Sequence, residues 1–332
     1  MRIEVVGAGV AGLTAAFEIA RQGLDRGVAV TLVERERAAG LGCSRYAGGM
    51  IAPWCELDTA EPIVAELGQE ALDYWTRDIP VATRNGSLVV PPPRERAELL
   101  DFSRRTKEFQ TLDASALSRL EPELAERFDA ALFFVKEAHL DPARAMAALL
   151  ERLEALPNVT LRFNATPSGD ADWTVDCRGF AARDALKKLR GVKGEMLVLR
   201  TREIELSRPV RMLHAKRPAY VVPRGEGLFM IGATMIENEE RARVTARSLV
   251  ELVNTAYAIH PAFAEAEIVE TGSDLRPAFP DNLPRLTRRG RTLYLNGLYR
   301  HGFLLAPSLA RRAAQVLLDD AWFEEICDED PS

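Results

Sequence analysis

The sequence predicts an α/β protein in which a layer of parallel strands is interleaved, along the chain, with an α+β unit built on an antiparallel sheet. Three observations carry this. A buried strand, a glycine turn, a helix and a second buried strand follow one another within the first 33 residues. Apolar strand segments of the same texture return near 159–163, 173–177 and 292–297. Between those returns lie runs of short strands bounded by Gly and Pro, the pattern of an antiparallel sheet.

The elements justify this in order. Arg2-Ile3-Glu4-Val5-Val6 reads as a buried strand that runs directly into Gly7-Ala8-Gly9-Val10-Ala11-Gly12, and a helix follows to about Arg21. Gly7 permits the tight turn, Gly9 lets a pyrophosphate approach the backbone, and Gly12 lets the helix pack on the strand. Phosphate then sits on free N–H groups at the helix start, around Val10 and Ala11. A second parallel strand, Val28-Ala29-Val30-Thr31-Leu32-Val33, delivers Glu34 at its carboxyl end. There, about 20 residues past the last glycine, an acid holds ribose hydroxyls. A solvated acid capping a strand is the plainer alternative, and strand, glycines and spacing together outweigh it. This part is a Rossmann-like dinucleotide-binding layer.

A helix carrying Ile63, Val64, Leu67 and Leu72 comes next, and the texture changes from Ala82. Gly86-Ser87-Leu88-Val89-Val90 followed by Pro91-Pro92-Pro93 reads as a short strand ended by prolines, which suits a sheet edge or a domain crossing. Asp141 is placed to cap, and Pro142 to open, a helix whose apolar face is Ala145, Met146, Leu149, Leu150 and Leu153. Strands at Val159–Phe163 and Trp173–Cys177 resume the first layer, the second stopping at Arg178-Gly179, a second approach to a cofactor. From Gly194 to about Glu270 several strand-like segments suggest an antiparallel sheet, interrupted by a helix at 246–259. Thr292–Gly297 is a last buried strand, and a helix follows from about Pro307 to Leu318.

With 332 residues, 47% of them hydrophobic, about two domains is the natural expectation. The formal net charge is -6 and no basic stripe with interleaved aromatics appears, which argues against a nucleic-acid surface; Arg104-Arg105 and Arg288-Arg289 read as solvated faces. No stretch approaches the roughly 20 apolar residues of a membrane helix, and the N-terminus enters the first strand without a charged leader, so the expected address is the cytoplasm. Cys43, Cys55, Cys177 and Cys327 show no CxxC pairing, which predicts reduced thiols. His139, His214, His260 and His301 are scattered, and no metal site is expected.

Five segments then bring a family into view. Lys193-Gly194-Glu195, Tyr220-Val221-Val222-Pro223-Arg224, Gly232-Ala233-Thr234-Met235, Leu275-Arg276-Pro277 and Tyr299-Arg300-His301-Gly302-Phe303-Leu304-Leu305-Ala306-Pro307 resemble the glycine oxidases of thiamine biosynthesis, within the D-amino-acid oxidase superfamily. Ala47-Gly48-Gly49-Met50 resembles that family's flavin-facing loop, and the likeness spans the chain. The resemblance implies noncovalent FAD, since no His or Cys stands at a family attachment position. It implies a discontinuous FAD-binding domain at 1–81, 138–190 and 265–332, and a substrate domain at 82–137 and 191–264. Cofactor contacts are expected from Gly7, Gly9, Val10, Ala11, Gly12, Glu34, Arg35, Ser44, Gly48, Gly49, Met50, Gly179, Arg300, His301, Gly302, Phe303 and Leu304. The backbone N–H groups of the loop from Arg300 to Leu305 would face the flavin O2 edge and stabilise negative charge there.

Arg276 matches the family's carboxylate anchor, because a planar guanidinium binds a carboxylate through two parallel hydrogen bonds. Its alternative is a surface ion pair beside Pro277. Tyr220 matches the active-site tyrosine and would donate to the same carboxylate; a core tyrosine with a satisfied hydroxyl is the other reading. Arg300 is a second anchor or a gate by resemblance, or a solvated loop arginine. His301 departs from well-known members, which carry asparagine, and a lone histidine is more often a hydrogen-bonded structural residue than a base. Met50 and Met235 match positions that shape the pocket, with core packing the equal alternative. His214 is placed near the pocket by the same resemblance, against a surface location.

The resulting expectation is an FAD-dependent oxidase of glycine or a small amino acid. Hydride would pass from the α-carbon to flavin N5, and 2-oxo acid, ammonia and hydrogen peroxide would be formed with O2 as co-substrate. A link to thiazole synthesis follows if glycine is the substrate. Oxidases of sarcosine, iminodiacetate or D-amino acids share the anchor, and a nicotinamide dehydrogenase or a passive flavin-binding protein are the readings from other classes. Relatives often assemble, so a homo-oligomer is left open.

Overall fold

The computed structural model describes residues 1–92, 96–213 and 219–329; Pro93 and His214 lie outside them. The chain builds two large sheets. The first carries β1 (Arg2–Val6) and β2 (Ala29–Val33), joined by α1 (Val10–Gly23). β1 lies in mid-sheet, parallel to β2 on one side and to Trp173–Asp176 on the other. The sheet extends past β2 to Val159–Arg162, and past Trp173–Asp176 to Thr292–Asn296, Arg285–Arg289 and Cys327–Glu329. Its inner strands Arg2–Val6 and Ala29–Val33 are mostly buried, whereas the outer Val159–Arg162, Arg285–Arg289 and Cys327–Glu329 carry polar residues toward solvent. α1 packs between Pro142–Glu154 and the C-terminal helix Gly302–Asp319, which in turn carries Pro62–Asp73.

The Asp141 carboxylate caps its helix as the sequence indicates, accepting from Ala143 N at 2.7 Å and Arg144 N at 3.2 Å. The glycine turn is forced by contact. Gly7 has φ +101°, and a Cβ on Gly12 would stand 1.7 Å from Gly7 O.

The second sheet has eight strands in the order Glu267–Ala278, Arg190–Arg200, Leu228–Gly232, Ala219–Gly225, Val210–Met212, Ser87–Val90, Ala130–Phe134, Gln110–Asp113. All neighbours are antiparallel except Val210–Met212 with Ser87–Val90. Ala246–Ile259 packs against this sheet through Leu252, Ala256 and Ile259, in a separate apolar cluster from that of the first layer.

Four features differ from the sequence reading. Ser87–Val90 is not an edge strand but is paired on both sides, and this is allowed because the prolines follow it rather than interrupt it. The strand Glu267–Ala278 belongs to the antiparallel sheet, so the switch between sheets comes after Ala278 rather than at 265. The elements between 96 and 134 escaped the sequence reading because Arg96–Arg105, for example, buries only Leu99 and Phe102.

The C-terminal helix begins at Gly302, with Pro307 inside it, instead of at Pro307. Pro307 has no N–H to give to Phe303 O, one turn earlier. The Trp75 indole gives one instead, Nε1 to Phe303 O at 2.8 Å, and Trp75 is fully buried. A second buried device joins the lobes. Glu137, with no exposed surface, accepts from Cys55 N at 2.8 Å and bonds to Ser87 Oγ, linking the short helix Pro53–Glu56 to the second sheet. Burial lifts its carboxyl from the ordinary 4.5 to about 8. Among the described residues no helix is long and apolar enough to cross a membrane.

Trp75→Phe should lower stability by about 1–3 kcal/mol in urea unfolding, because Phe303 O is then left without a donor; an unchanged midpoint would discard the role given to the indole. A carboxyl whose folded pKa is raised contributes stability at low pH that is lost as pH rises through the folded value. Glu137→Gln, which can accept from Cys55 N and donate to Ser87 Oγ, should therefore gain on the native protein progressively between pH 4.5 and about 8. Unfolding curves at pH 5 and pH 8 with the same difference between the two proteins would contradict this.

Candidate active site

A cavity of about 490 Å³ runs between the sheets, from the glycine turn and Glu34 to the face that carries Tyr220 and Arg276. Of the residues singled out from the sequence, Gly7, Gly9, Val10, Ala11, Glu34, Arg35, Ser44, Gly48, Gly49, Met50, Gly179, Tyr220, Met235, Arg276, Arg300, His301, Gly302, Phe303 and Leu304 all line it. Gly12 does not; it stands behind the turn, where its missing side chain lets α1 approach Gly7.

At one end, the first-turn N–H groups of α1 have no carbonyl partner inside the helix. Val10 N donates to Ser44 Oγ at 3.1 Å, which ties the 40s loop to the helix start. A Cβ on Gly9 would meet that oxygen at 3.2 Å, so the bare backbone keeps this cradle open. The Glu34 carboxylate braces the turn as well as facing the cavity, accepting from Ala8 N at 2.7 Å and Glu36 N at 2.9 Å. Arg35 is exposed beside it and pairs with Glu36 at 3.4 Å.

A second helix start opens on the same cavity. Tyr299 N donates to Pro277 O at 2.9 Å and His301 N to Leu298 O at 2.8 Å, which aims the first turn of Gly302–Asp319 inward. Gly302, Phe303 and Leu304 are therefore helix N-terminal donors rather than parts of a loop. The positive end of the helix dipole favours negative charge there. Across the sheet Gly179, at φ +57°, is held by Asn296 Nδ2 donating to its carbonyl at 2.9 Å.

The antiparallel sheet supplies the other wall. Arg211 and Tyr220 are direct cross-strand partners and so share one face. Tyr220 lies over Gly48, where a Cβ would come within 2.6 Å of its ring. Burial raises the Tyr220 phenol pKa, which keeps it protonated as a donor. Gly194 pairs with Asp274, so Arg276 is its diagonal neighbour on the same face. A Cβ on Gly194 would stand 2.3 Å from the Arg276 guanidinium. Arg276 Nη1 donates to Thr234 O at 3.0 Å, and among the described residues no carboxylate stands within ion-pair distance of it. Thr234 is itself fixed, exchanging bonds with Glu195 through its N–H at 3.1 Å and its Oγ1 at 3.0 Å. Glu195 pairs with the equally buried Lys193.

Arg300 is not a solvated arginine. Its Nη2 bonds to Glu56 Oε2 and, at 2.6 Å, to Thr59 Oγ1. Burial pushes His301 down to about 4, leaving a neutral imidazole 3.6 Å from Glu56. Arg300, His301 and Arg211 together overcome the burial of Glu56 and hold its carboxyl near 2. Met235 is 47% exposed, with Sδ accepting from Tyr299 OH at 3.4 Å, so it forms the cavity rim rather than packed core. Met50 does both, lining the cavity and packing against the Met196, Val222, Met230 cluster.

Sequence reasoning gave no role to Glu56, Arg211 or Arg224. Arg224 donates to the carbonyls of Leu140, Ala47 at 3.1 Å and Gly48 at 2.9 Å, and so ties down the 47–49 loop. A charged residue closing the apolar run Tyr220 to Pro223 was its only signal. Glu56 and Arg211 carry none, because they meet only in three dimensions. Among the described residues no group of His, Cys, Asp or Glu could hold a metal, and all four cysteines are unpaired.

These residues fit a flavin dinucleotide. The open cradle at Gly9 and the start of Val10–Gly23 suit its pyrophosphate, Glu34 its ribose, and the start of Gly302–Asp319 the electron-rich edge of its ring. Comparison with known proteins agrees. The chain is 53% identical over 322 residues, 96% of its length and 97% of the other's, to a Rhizobium etli protein named for a thiamine biosynthesis oxidoreductase, ThiO. It is 26% identical to a glycine oxidase of Pseudomonas putida, covering 95% of this chain and 94% of that one. Among solved structures, the iminodiacetate oxidase of Chelativorans sp. BNC1 superposes with a TM-score of 0.84 at 23% identity, over 100% of both chains. The family described as FAD dependent oxidoreductase (DAO) matches residues 2–316. With that span taking in both helix starts, Glu34 and the Arg276 strand, the chain belongs to this FAD-dependent oxidoreductase family.

Proposed function

We propose that this protein oxidises glycine to its imine with FAD and O2, and that the imine serves thiazole formation in thiamine synthesis. The observation that carries the reading is Arg276: a half-buried guanidinium facing the cavity, seated by Gly194 and Thr234 O and, among the described residues, paired with no carboxylate. Its remaining donors match the two oxygens of an amino-acid carboxylate. The names of the Rhizobium etli and Pseudomonas putida relatives support glycine and the thiamine link.

Arg276 and the Tyr220 hydroxyl hold the acid group, which fixes the α-carbon between the sheet face and the helix start at Gly302. FAD, held by the glycine turn, Glu34 and the start of Gly302–Asp319, would supply the two-electron acceptor, with O2 as the final oxidant and hydrogen peroxide as its product. Glu56, held near 2 by its arginines, and His301, held near 4, are both too weakly basic to take an ammonium proton. The amine therefore reaches the reactive state by losing its proton to water. Water then hydrolyses any imine not consumed, leaving glyoxylate and ammonia. Met235 and Tyr299 at the rim, and the Arg300–Glu56 pair, bound the room left for a side chain.

Arg276→Ala should raise KM for glycine by about a hundredfold while FAD remains bound; steady-state kinetics with an unchanged KM would remove Arg276 from this role. In Gly194→Ala the added methyl displaces the guanidinium. That variant should raise KM by about tenfold with its flavin spectrum intact. Bleaching of the flavin on anaerobic glycine addition tests the reaction itself, and no bleaching would refute it.

A further inference from the structure

We propose that Glu56 restricts this site to substrates bearing a single carboxylate, by occupying Arg300 and so denying a second acid group its cation. This rests on the reading that Arg276 binds the first carboxylate. Six arginines line the cavity, and three of them, Arg211, Arg276 and Arg300, act on the Tyr220 phenol. Arg276 is left open to a ligand, whereas the other two converge on Glu56. Its Oε2 bonds to Arg300 Nη2, and its Oε1 lies 3.5 Å from Arg211 Nη1. The second tether of Arg300 is Thr59 Oγ1 at 2.6 Å. Arg276, Glu56, Arg300 and Arg211 all act electrostatically on the one Tyr220 phenol, which places them around the same end of the cavity.

Without the Glu56 charge, that end would favour a dianion: one carboxylate on Arg276, the other on Arg300. With it, a second carboxylate meets an arginine whose Nη2 donors are taken by Glu56 and Thr59, and a like charge beside it. The side chains concerned are 16% (Glu56), 19% (Arg300) and 8% (Arg211) exposed, so water screens this repulsion poorly. Rejection by a placed like charge is a route to specificity that leaves the contacts to the preferred substrate intact. Glycine and sarcosine carry one carboxylate. Iminodiacetate carries two.

The test compares Glu56→Gln with the native holoenzyme. Calorimetric titration with acetate and with malonate reads binding without turnover, and the kcat/KM ratio of iminodiacetate to glycine reads selectivity. The affinity ratio of malonate to acetate and the kcat/KM ratio should both rise by about tenfold. Adding Arg300→Gln to that variant should abolish both gains. Loss of a merely structural pair would weaken both ligands in parallel and leave the ratios unmoved. Thr59→Val releases one tether of Arg300 and should move the ratios the same way by a smaller factor. Ratios unmoved in both variants, or in Thr59→Val alone where Glu56→Gln does not fold, overturn the proposal. Acetate bound by the native holoenzyme with no gain for malonate would sink this proposal and spare Arg276. Acetate that does not bind at all would sink both.

Discussion

The Arg276 guanidinium fills space that only a glycine at 194 leaves empty, and the chemistry of the cavity depends on that contact. The pairing of Arg190–Arg200 with Glu267–Ala278 brings the two residues onto one face as diagonal neighbours. The buried Lys193–Glu195 pair, on either side of Gly194, fixes Thr234 and hence the carbonyl that orients the guanidinium. A cation held by a neutral carbonyl and, among the described residues, by no carboxylate keeps its charge available to an acid group.

Around that cation the protein distributes charge with economy. Two helix starts, those of Val10–Gly23 and Gly302–Asp319, open on one cavity and present N–H groups without spending formal charge. Around Tyr220 one carboxylate, Glu56, answers two arginines. Buried groups are tuned to suit: His301 is neutral and Glu137 is protonated at neutral pH, so neither adds a competing charge. Arg224 does its work on backbone, holding the carbonyls of Ala47, Gly48 and Leu140.

The nucleotide layer was legible because its signals are local. A buried strand, three glycines and an acid at the next strand end follow in 34 residues, and each has one structural meaning. The C-terminal helix was misread by one turn and more because Pro307 looks like a beginning, whereas Trp75, remote in sequence, supplies the donor that lets it sit inside. Ser87–Val90 was misread as an edge because the strands that flank it, Val210–Met212 and Ala130–Phe134, are distant in the chain. Glu56 went unread for the same reason. It sits at the end of a four-residue helix and gains its role only from Arg211, Arg300 and His301.

By itself the sequence determined the class of fold and the glycine turn that opens the first helix, with Glu34 at the end of the next strand; Arg276 as a candidate anchor came from the family resemblance. The turn and the strands follow from backbone needs and periodicity, which act over a few residues. The tertiary structure alone decided that Arg276 has no carboxylate partner among the described residues while Arg300 is paired with Glu56, that Met235 is rim and Met50 wall, and that Glu137 holds its proton. Charge state and accessibility depend on what surrounds a side chain from every direction, and most of those neighbours come from other parts of the chain.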